Sequence, residues 1–549
     1  RVLVEYCELP SDRELVPDIH PSKLKIRVED PDYASFYDKS INIRQQNGYI
    51  LKGKGTETFE CRFAYMGFQF VRVTADPGVT VERVEAVPVH TDVAEAGRFV
   101  CSNDVVNRLQ DISRASLLNN FHSIPTDCPH REKQGWTADT YMTDQAAIYN
   151  FDMAAFYAKW VEDLAGTQDS AGGLCTVAPS TGYDQSISTV WPAAIVYVPW
   201  DLLAYYGDRR VVERHYETMM RFAESSLLRQ RDGKPEIIGE VLGDWVSPHM
   251  TLSDTLMSYS MAPPEGLTLY GTASHYRVVR NLAEVARFLG KRDDAVRLDA
   301  WADRIARRFN EEFFDAASGI YHGENPTPYR QAANVVPLEY GLVPEADSAR
   351  VLGSLLRDLD GTRDRIGTGF VGTLSMMELM PRIDPERAYR LATQPDYPGW
   401  GFMALSGATT MWETWDGSAS RNHPPFCLIS AYFYKYLAGI RCDRAYPGFE
   451  RFTVDPSVVG DLTFVEAWHD SPYGRIRSEW RRDGSRLTMK VSVPVGTTAT
   501  IGVPTRDAAG VAESGRPVSG TDGVKFLRAA GGKAFYEVGS GSYVFTSRL

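Results

Sequence analysis

The sequence predicts a large domain of paired helices, arranged as a toroid, held between two β regions. Three observations predict it. Residues 1–100 carry the two-residue period of strands, and residues 101–443 carry the 3.6-residue period of helices, broken by loops containing glycine and proline. Residues 444–549 return to the two-residue period. A chain of 549 residues exceeds the roughly 250–300 residues at which a single core stops growing, so several domains are expected.

In the first region Phe59, Cys61, Phe63 and Tyr65 alternate with polar or small residues and read as a strand. Gly67 interrupts, Phe68 to Val73 reads as a second strand, and Asp76-Pro-Gly supplies a turn. The region reads as part of a β-sandwich whose beginning lies upstream. The chain opens on Arg1-Val-Leu-Val-Glu-Tyr, which lacks Met and already has strand character, so targeting information is expected to be missing. At Ser102 the period changes. Ser102 or Asn103 is the candidate N-cap of a helix whose apolar stripe begins Val106, Leu109, Ile112. Val278, Leu282, Val285 and Leu289 form another stripe, closed by Gly290 at a C-cap position. Leu298, Trp301, Ile305 and Phe309 follow on the next helix, and two such helices joined by a few residues make a hairpin. Hairpin-like stretches recur to about Gly439, which is the basis for the toroid. Beyond Ala445-Tyr-Pro-Gly, Leu487, Met489, Val491 and Val493 alternate with polar residues after the Asp483-Gly484 turn, so the tail reads as a small β-sandwich.

The formal net charge of −12 provides no basic surface for nucleic acid or an anionic membrane and suits a neutral substrate such as a sugar. No uninterrupted apolar run approaches the ~20 residues of a membrane helix. Seven cysteines, spread from Cys7 to Cys442 without a CxxC pair, read as reduced thiols rather than a disulfide framework or a zinc site. A cytoplasmic and a periplasmic setting both stay open, as does the oligomeric state.

Several motifs carry possible chemistry. Gly48-Tyr-Ile-Leu-Lys-Gly-Lys54-Gly55 nearly fits a phosphate-binding loop, but Gly55 stands where a hydroxyl would hold magnesium, so the segment reads as a turn. The segment from Asp127 to Asp139 lies in a loop between helices, where Pro125 and Pro129 stop the first helix. It combines Asp127, Arg131, Glu132, Trp136 and Asp139. An indole face packs on sugar C–H groups while acids bind hydroxyls; the plainer alternative is a solvated loop with an Arg–carboxylate pair. Trp412-Glu413-Thr-Trp415 sets an acid between two indoles, where desolvation raises a carboxylate pKa; the plainer alternative is a core Trp pair with Glu413 capping a turn. Gly243-Asp244-Trp245 repeats the acid beside an indole, and His423 alone reads as a structural histidine. No HExxH, paired His/Cys set or Gly-x-Ser-x-Gly elbow occurs, so no metal and no cofactor is expected.

These residues match a known pattern. Asp127-Cys-Pro-His-Arg-Glu-Lys-Gln-Gly-Trp-Thr-Ala-Asp139 resembles the first acidic signature of the α-L-rhamnosidases of glycoside hydrolase family 78, with Ala138 where glycine is usual. Ala408-Thr-Thr-Met-Trp-Glu-Thr-Trp-Asp-Gly resembles the second. Tyr149-Asn-Phe-Asp-Met, Gly243-Asp-Trp, Thr368-Gly-Phe-Val-Gly-Thr and Tyr397-Pro-Gly-Trp-Gly agree too, so the resemblance runs from about residue 40 into the last β region. It implies an (α/α)6 barrel flanked by β-sandwich domains, and hydrolysis of terminal α-L-rhamnosyl groups with inversion. It implies Glu132 as general acid and Glu413 as general base. Asp127, Arg131, Asp139, Asp244, Trp412 and His423 would hold or surround the sugar, and Trp136 and Trp245 would stack on it. Two departures put the sugar preference in doubt: Trp191-Pro-Ala-Ala stands where relatives often have Trp-Gly-Asp-Ala, and the loop from Gly417 to Asn422 is short.

An inverting enzyme needs one protonated and one ionised carboxyl, roughly 6.5–9.5 Å apart. Asp127 and Asp139 are therefore expected to raise the pKa of Glu132 by like-charge repulsion, and Arg131 is expected to pair elsewhere than with Glu132. The alternatives are an inverting glycosidase of the same barrel acting on another sugar, and a catalytically silent carbohydrate-binding relative.

Overall fold

The computed structural model describes residues 1–7, 45–182, 188–231, 233–248 and 262–549. Residues 8–44 of the first β region, and the beginning of the resemblance near residue 40, lie outside the described residues.

Near the amino terminus β1 (Val2–Cys7) pairs antiparallel with both β2 (Gln46–Tyr49) and β3 (Phe70–Ala75) in a three-stranded sheet. The strand expected over Phe59 to Tyr65 does not form. Its alternation has no common core to face: Phe63 is fully exposed, and Tyr65 instead stacks on His122 at 3.5 Å beneath the Nζ of Lys133. The glycine-rich segment after Tyr49 is an exposed turn, with Gly53 and Gly55 at positive φ. Strand β4 (Gly97–Cys101) crosses the expected boundary at residue 100 and leaves this sheet altogether.

Six helical hairpins follow among the described residues. Outer helices are α1 (Asp104–Leu118), α3 (Ala154–Ala165), α5 (Arg209–Ser225), α7 (Arg292–Phe313), α9 (Glu345–Thr362) and the pair α11 (Pro385–Thr393) and α12 (Trp400–Leu405). Inner helices are α2 (Thr137–Asn150), α4 (Ala194–Tyr206), α6 (Thr268–Phe288), α8 (Gln331–Tyr340), α10 (Phe370–Ile383) and α13 (Ile429–Tyr432), the last prolonged by a π turn over Phe433–Leu437. Each inner helix contacts the next, and α13 closes the ring against α2. This is the (α/α)6 barrel.

The sequence explains which helix is which. On α7 the buried residues Leu298, Trp301, Ile305 and Phe309 form one stripe, as an outer helix with a solvated face requires. On α2 and α4 nearly every residue is buried, polar ones included, because neighbours enclose an inner helix on all sides. Asn103 caps α1, its side chain accepting from the N–H groups of Val105 and Val106. Gly290 ends the α6 segment at φ 76°, a conformation without penalty only for glycine.

The carboxyl-terminal region packs two sheets face to face. One has the order β11 (Val524–Ala530), β12 (Lys533–Val538), β10 (Thr498–Pro504), β6 (Arg451–Val454), β5 (Ile440–Cys442). The other runs from two short strands at Arg516–Pro517 and Ala512–Glu513 through β13 (Gly541–Arg548), β9 (Arg486–Val493), β8 (Gly474–Asp483) and β7 (Phe464–Ser471) to β4. On β9 the alternating Leu487, Met489, Val491 and Val493 are all buried. Gly97 of β4 is obligatory: a Cβ there would lie 2.0 Å from the carbonyl oxygen of Tyr149. That close approach welds the last sheet to inner helix α2.

Candidate active site

The loops that precede α2, α6, α10 and α13 gather at one rim of the barrel, where the N-terminal ends of inner helices lend positive potential to nearby acids. The loop from Asp127 to Trp136 is stapled from within. Asp127 is fully buried; its Oδ1 accepts the backbone N–H of Gln134 at 2.9 Å and its Oδ2 the thiol of Cys128 at 3.0 Å. The thiol sulfur in turn accepts the backbone N–H of Glu132 at 3.2 Å. Burial, and then the charge of Glu132, hold the Asp127 carboxyl well above the usual carboxylate range. Asp127, Cys128 and His423 place potential ligand atoms within 4.8 Å of one another. Burial keeps the Cys128 thiol well above its ordinary pKa, a poor state for a metal ligand.

Glu132 and Glu413 come from different hairpins, 281 positions apart in sequence, and Arg131 bridges them. Its Nη2 lies 2.8 Å from Glu132 Oε1 and 2.9 Å from Glu413 Oε2, and its Nε donates to Glu132 Oε1 at 3.1 Å. This corrects the expectation that Arg131 points away from Glu132. The reason is geometric: Arg131 is the guanidinium placed between two nearly buried carboxyls. Both forks onto Glu132 meet one oxygen, because the indole N–H of Trp136 donates to the other, Oε2, at 2.9 Å. Like-charge repulsion in the loop acts on Asp127, as above. Glu413 Oε2 also accepts the backbone N–H of Ser420 at 3.0 Å.

His423 Nε2 lies 3.0 Å from Asp139 Oδ1, and Phe370 stacks on the imidazole with ring centroids 5.9 Å apart. Burial alone lowers the imidazole pKa, but the charge of Glu413 and the contact with Asp139 outweigh it and raise His423 to about 9. Burial raises Asp139, with His423 opposing. His423 is therefore cationic at neutral pH, between two acids. Against an ordinary value of 6.5, the raised pKa makes this stabilisation complete below about pH 6.5 and lost as pH rises through about 9. Urea denaturation should show the wild-type midpoint falling across that window and a His423→Gln variant lacking that component; identical slopes would remove the ion pair from the account.

The Asp244 carboxyl is engaged within the fold. It is fully buried, and its two oxygens accept the N–H groups of Gly369 at 2.7 Å and Gly372 at 2.8 Å, capping α10 from a neighbouring loop. Burial, opposed by those two hydrogen bonds, raises its pKa to about 7. Gly369 permits the approach, since a Cβ there would lie 2.2 Å from the Trp245 carbonyl oxygen. Replacing Asp244 by Ala orphans two buried donors and should cost about 3 kcal/mol, read as a shift of the denaturation midpoint without loss of cooperativity.

The tryptophans divide similarly. Trp412 is 4% exposed, with the Arg421 guanidinium 4.8 Å over its ring, and Trp415 is 1% exposed, packed on Phe426 with its indole N–H on the Thr368 carbonyl. Both indoles are thus core residues packed on different partners, and Glu413 between them reaches Arg131. Trp136 and Trp245 are half-buried. Trp191 and Pro192 form the buried turn that enters α4. Beside it Glu240, unnoticed in the sequence, accepts four backbone N–H groups, from Thr189, Val190, Val241 and Leu242. Gly67, which reads in the sequence only as a break between strands, lies against the Asp127–Trp136 loop, where a Cβ would be 2.8 Å from Pro129.

Comparisons with known proteins identify the fold and its family. Residues 94–437 match the bacterial α-L-rhamnosidase 6-hairpin glycosidase domain, residues 439–516 the C-terminal domain and residues 23–90 the concanavalin-like domain of the same proteins. An α-L-rhamnosidase of Streptomyces avermitilis is 31% identical over 540 residues, covering 94% of this chain and 48% of the relative. One of Formosa agariphila is 30% identical over 478 residues, 82% of this chain and 49% of the relative. The chain thus spans about half the length of the curated relatives it matches. Among solved structures, the α-L-rhamnosidase from Dictyoglumus thermophilum superposes with a TM-score of 0.86 at 30% identity, covering 99% of this chain and 59% of that one. The Streptomyces avermitilis enzyme complexed with L-rhamnose does so with a TM-score of 0.82 at 27% identity, covering 99% and 49%. With its six-hairpin domain matched throughout, the chain belongs to the bacterial α-L-rhamnosidases.

Proposed function

We propose that this chain carries the catalytic centre of an inverting glycosidase that releases terminal α-L-rhamnose from glycosides or oligosaccharides. The observation that carries the reading is the meeting of Glu132 and Glu413 across Arg131 at the rim of the barrel. A relative of the same family binds L-rhamnose in its solved structure, which supports the choice of sugar. Glu132 donates a proton to the leaving oxygen, and Glu413, held by Arg131 and the Ser420 N–H, activates water on the opposite face of the ring. Trp136 and Trp245 offer indole surface to the sugar, and the His423–Asp139 pair sets the charge beside Glu413. Asp127 and Asp244 position the loops that carry these groups.

Inversion needs space for both sugar and water between the acids, roughly 6.5–9.5 Å. The bridged oxygens can be no further apart than contacts of 2.8 and 2.9 Å laid end to end. In this reading Arg131 swings from Glu132 to a sugar hydroxyl, freeing Oε1 to carry the proton. The same short bridge favours a second reading, in which Glu413 is a nucleophile at the roughly 5–5.5 Å spacing of a retaining enzyme. Proton NMR of an α-L-rhamnoside during hydrolysis separates them. A first-formed β-anomer supports inversion, a first-formed α-anomer establishes retention, and no turnover of rhamnosides alongside turnover of another aryl glycoside moves the chain to a different sugar.

A further inference from the structure

Beneath the catalytic rim the six inner helices enclose a cavity of about 360 Å³, lined by residues of all six and by Arg441 and Cys442 of β5. Asp144, in its wall, follows Asp139 on α2 by five residues, about 7.5 Å along the axis at ~1.5 Å per residue. The cavity therefore starts below the acids and runs toward the carboxyl ends of the inner helices. At that end Arg444 keeps 40% of its side chain exposed.

Its wall is charged but balanced. Arg277 pairs with Glu339 at 3.1 Å, Arg444 with Asp201 at 2.6 Å, and Lys435 with Glu378, while Arg441 pairs with Asp455 at 2.8 Å. Burial, then the charge of Asp201, hold the Asp144 carboxyl well above the usual carboxylate range. Such a lining discriminates against an ionic ligand, since each charge already has its opposite. It is also rich in flat rings, with Tyr197, Trp200, Tyr432 and Tyr436 all in the wall. Four lining residues carry buried polar atoms without a hydrogen-bond partner, the Tyr197 hydroxyl among them; the deepest are Asp144 Oδ2, which only its protonated form can satisfy by donating to Asp201, the Tyr432 hydroxyl and Trp200 Nε1. Their residues are 1%, 2% and 5% exposed, and unsatisfied buried groups at that depth call for a partner. None of these groups takes part in the chemistry assigned to Glu132 and Glu413.

We propose that the barrel lumen is a second binding site, for a neutral polyhydroxylated ring of monosaccharide size, entered from the rim opposite the catalytic acids. The volume lies in the ~300–1,000 Å³ range of small-molecule sites. The aromatic faces suit sugar C–H surfaces, and the unsatisfied acid, phenol and indole groups suit hydroxyls. The site does not depend on which glycoside the catalytic rim hydrolyses.

Crystals soaked separately in L-rhamnose, D-glucose and D-xylose, with calorimetric titration of the same sugars, test it. At least one sugar is expected in the lumen, with hydroxyls on Asp144 and Tyr432. Calorimetric affinity at that site should fall at least tenfold in Asp144→Asn and in Tyr432→Phe while the hydrolysis rate holds. Tyr432→Phe preserves the packing, so the test survives a misfolded Asp144 variant. Water alone in the lumen with all three sugars, binding at crystal concentration only, or affinity unchanged in a folded variant would each overturn the proposal.

Discussion

Glu132→Gln and Glu413→Gln should each lower kcat on a rhamnosyl disaccharide by at least about a hundredfold, within the roughly 10²–10⁴ that a positioned acid or base supplies. Both replacements keep shape and volume, so the thermal midpoint should hold to within a few degrees. The two variants should then part company on an aryl rhamnoside with a strongly acidic leaving group. Such a group departs without help, so Glu132→Gln should recover much of its rate. Glu413→Gln should not, because water still lacks its base. Equal losses on both substrates would assign Glu132 to another role, and a parallel loss of stability would make either residue structural. The geometry motivates the split: Glu132 sits in the loop closed by Trp136, and Glu413 is fixed from the opposite hairpin by the Ser420 N–H.

The succession of strand and helix regions was legible because it depends on period, whereas closure of the ring does not. Helices enclosed on all sides, helices with one buried stripe and half-buried strands leave different apolar spacings, and Leu298 to Phe309 or Leu487 to Val493 display them directly. Where period misled, a single side of the alternation had nothing to pack on, as at Phe59 to Tyr65, whose exposed Phe63 no local pattern distinguishes from a core residue. At the site, sequence picks out the acids that meet at the rim but not what each of them contacts. One dimension does not show that the oxygens of Asp127 and Asp244 are engaged by backbone N–H groups and, for Asp127, a thiol. Glu240 and Gly67 act through approaches from segments remote in sequence, for which one chain without its fold offers no signal. The pairing of Arg131 is hidden for the same reason. It depends on Glu413 arriving from the far side of the ring.

That arrival makes Arg131 the most consequential side chain outside the two glutamates. It is 10% exposed and touches a carboxyl that is 13% exposed and another that is 3% exposed. Removing one partner of a buried ionic set typically costs about 3–5 kcal/mol when the remaining charges stay ionised, so the acids left facing each other in Arg131→Met should take up a proton instead. Loss of the cation favours the neutral form of whichever carboxyl loses its partner. The acid limb of the pH profile of kcat/KM reports the essential base of the free enzyme, and in Arg131→Met it should move to higher pH, with kcat/KM at neutral pH reduced at least about tenfold. Arg131→Lys keeps a charge but not the fork that spans two carboxyls, so its acid limb should move less while its rate still falls. A profile unmoved in both variants, with only KM raised, would make Arg131 a sugar ligand alone. A shifted limb together with a raised KM would show one guanidinium doing both tasks in turn, first holding Glu132 and Glu413 together and then yielding to the sugar that separates them.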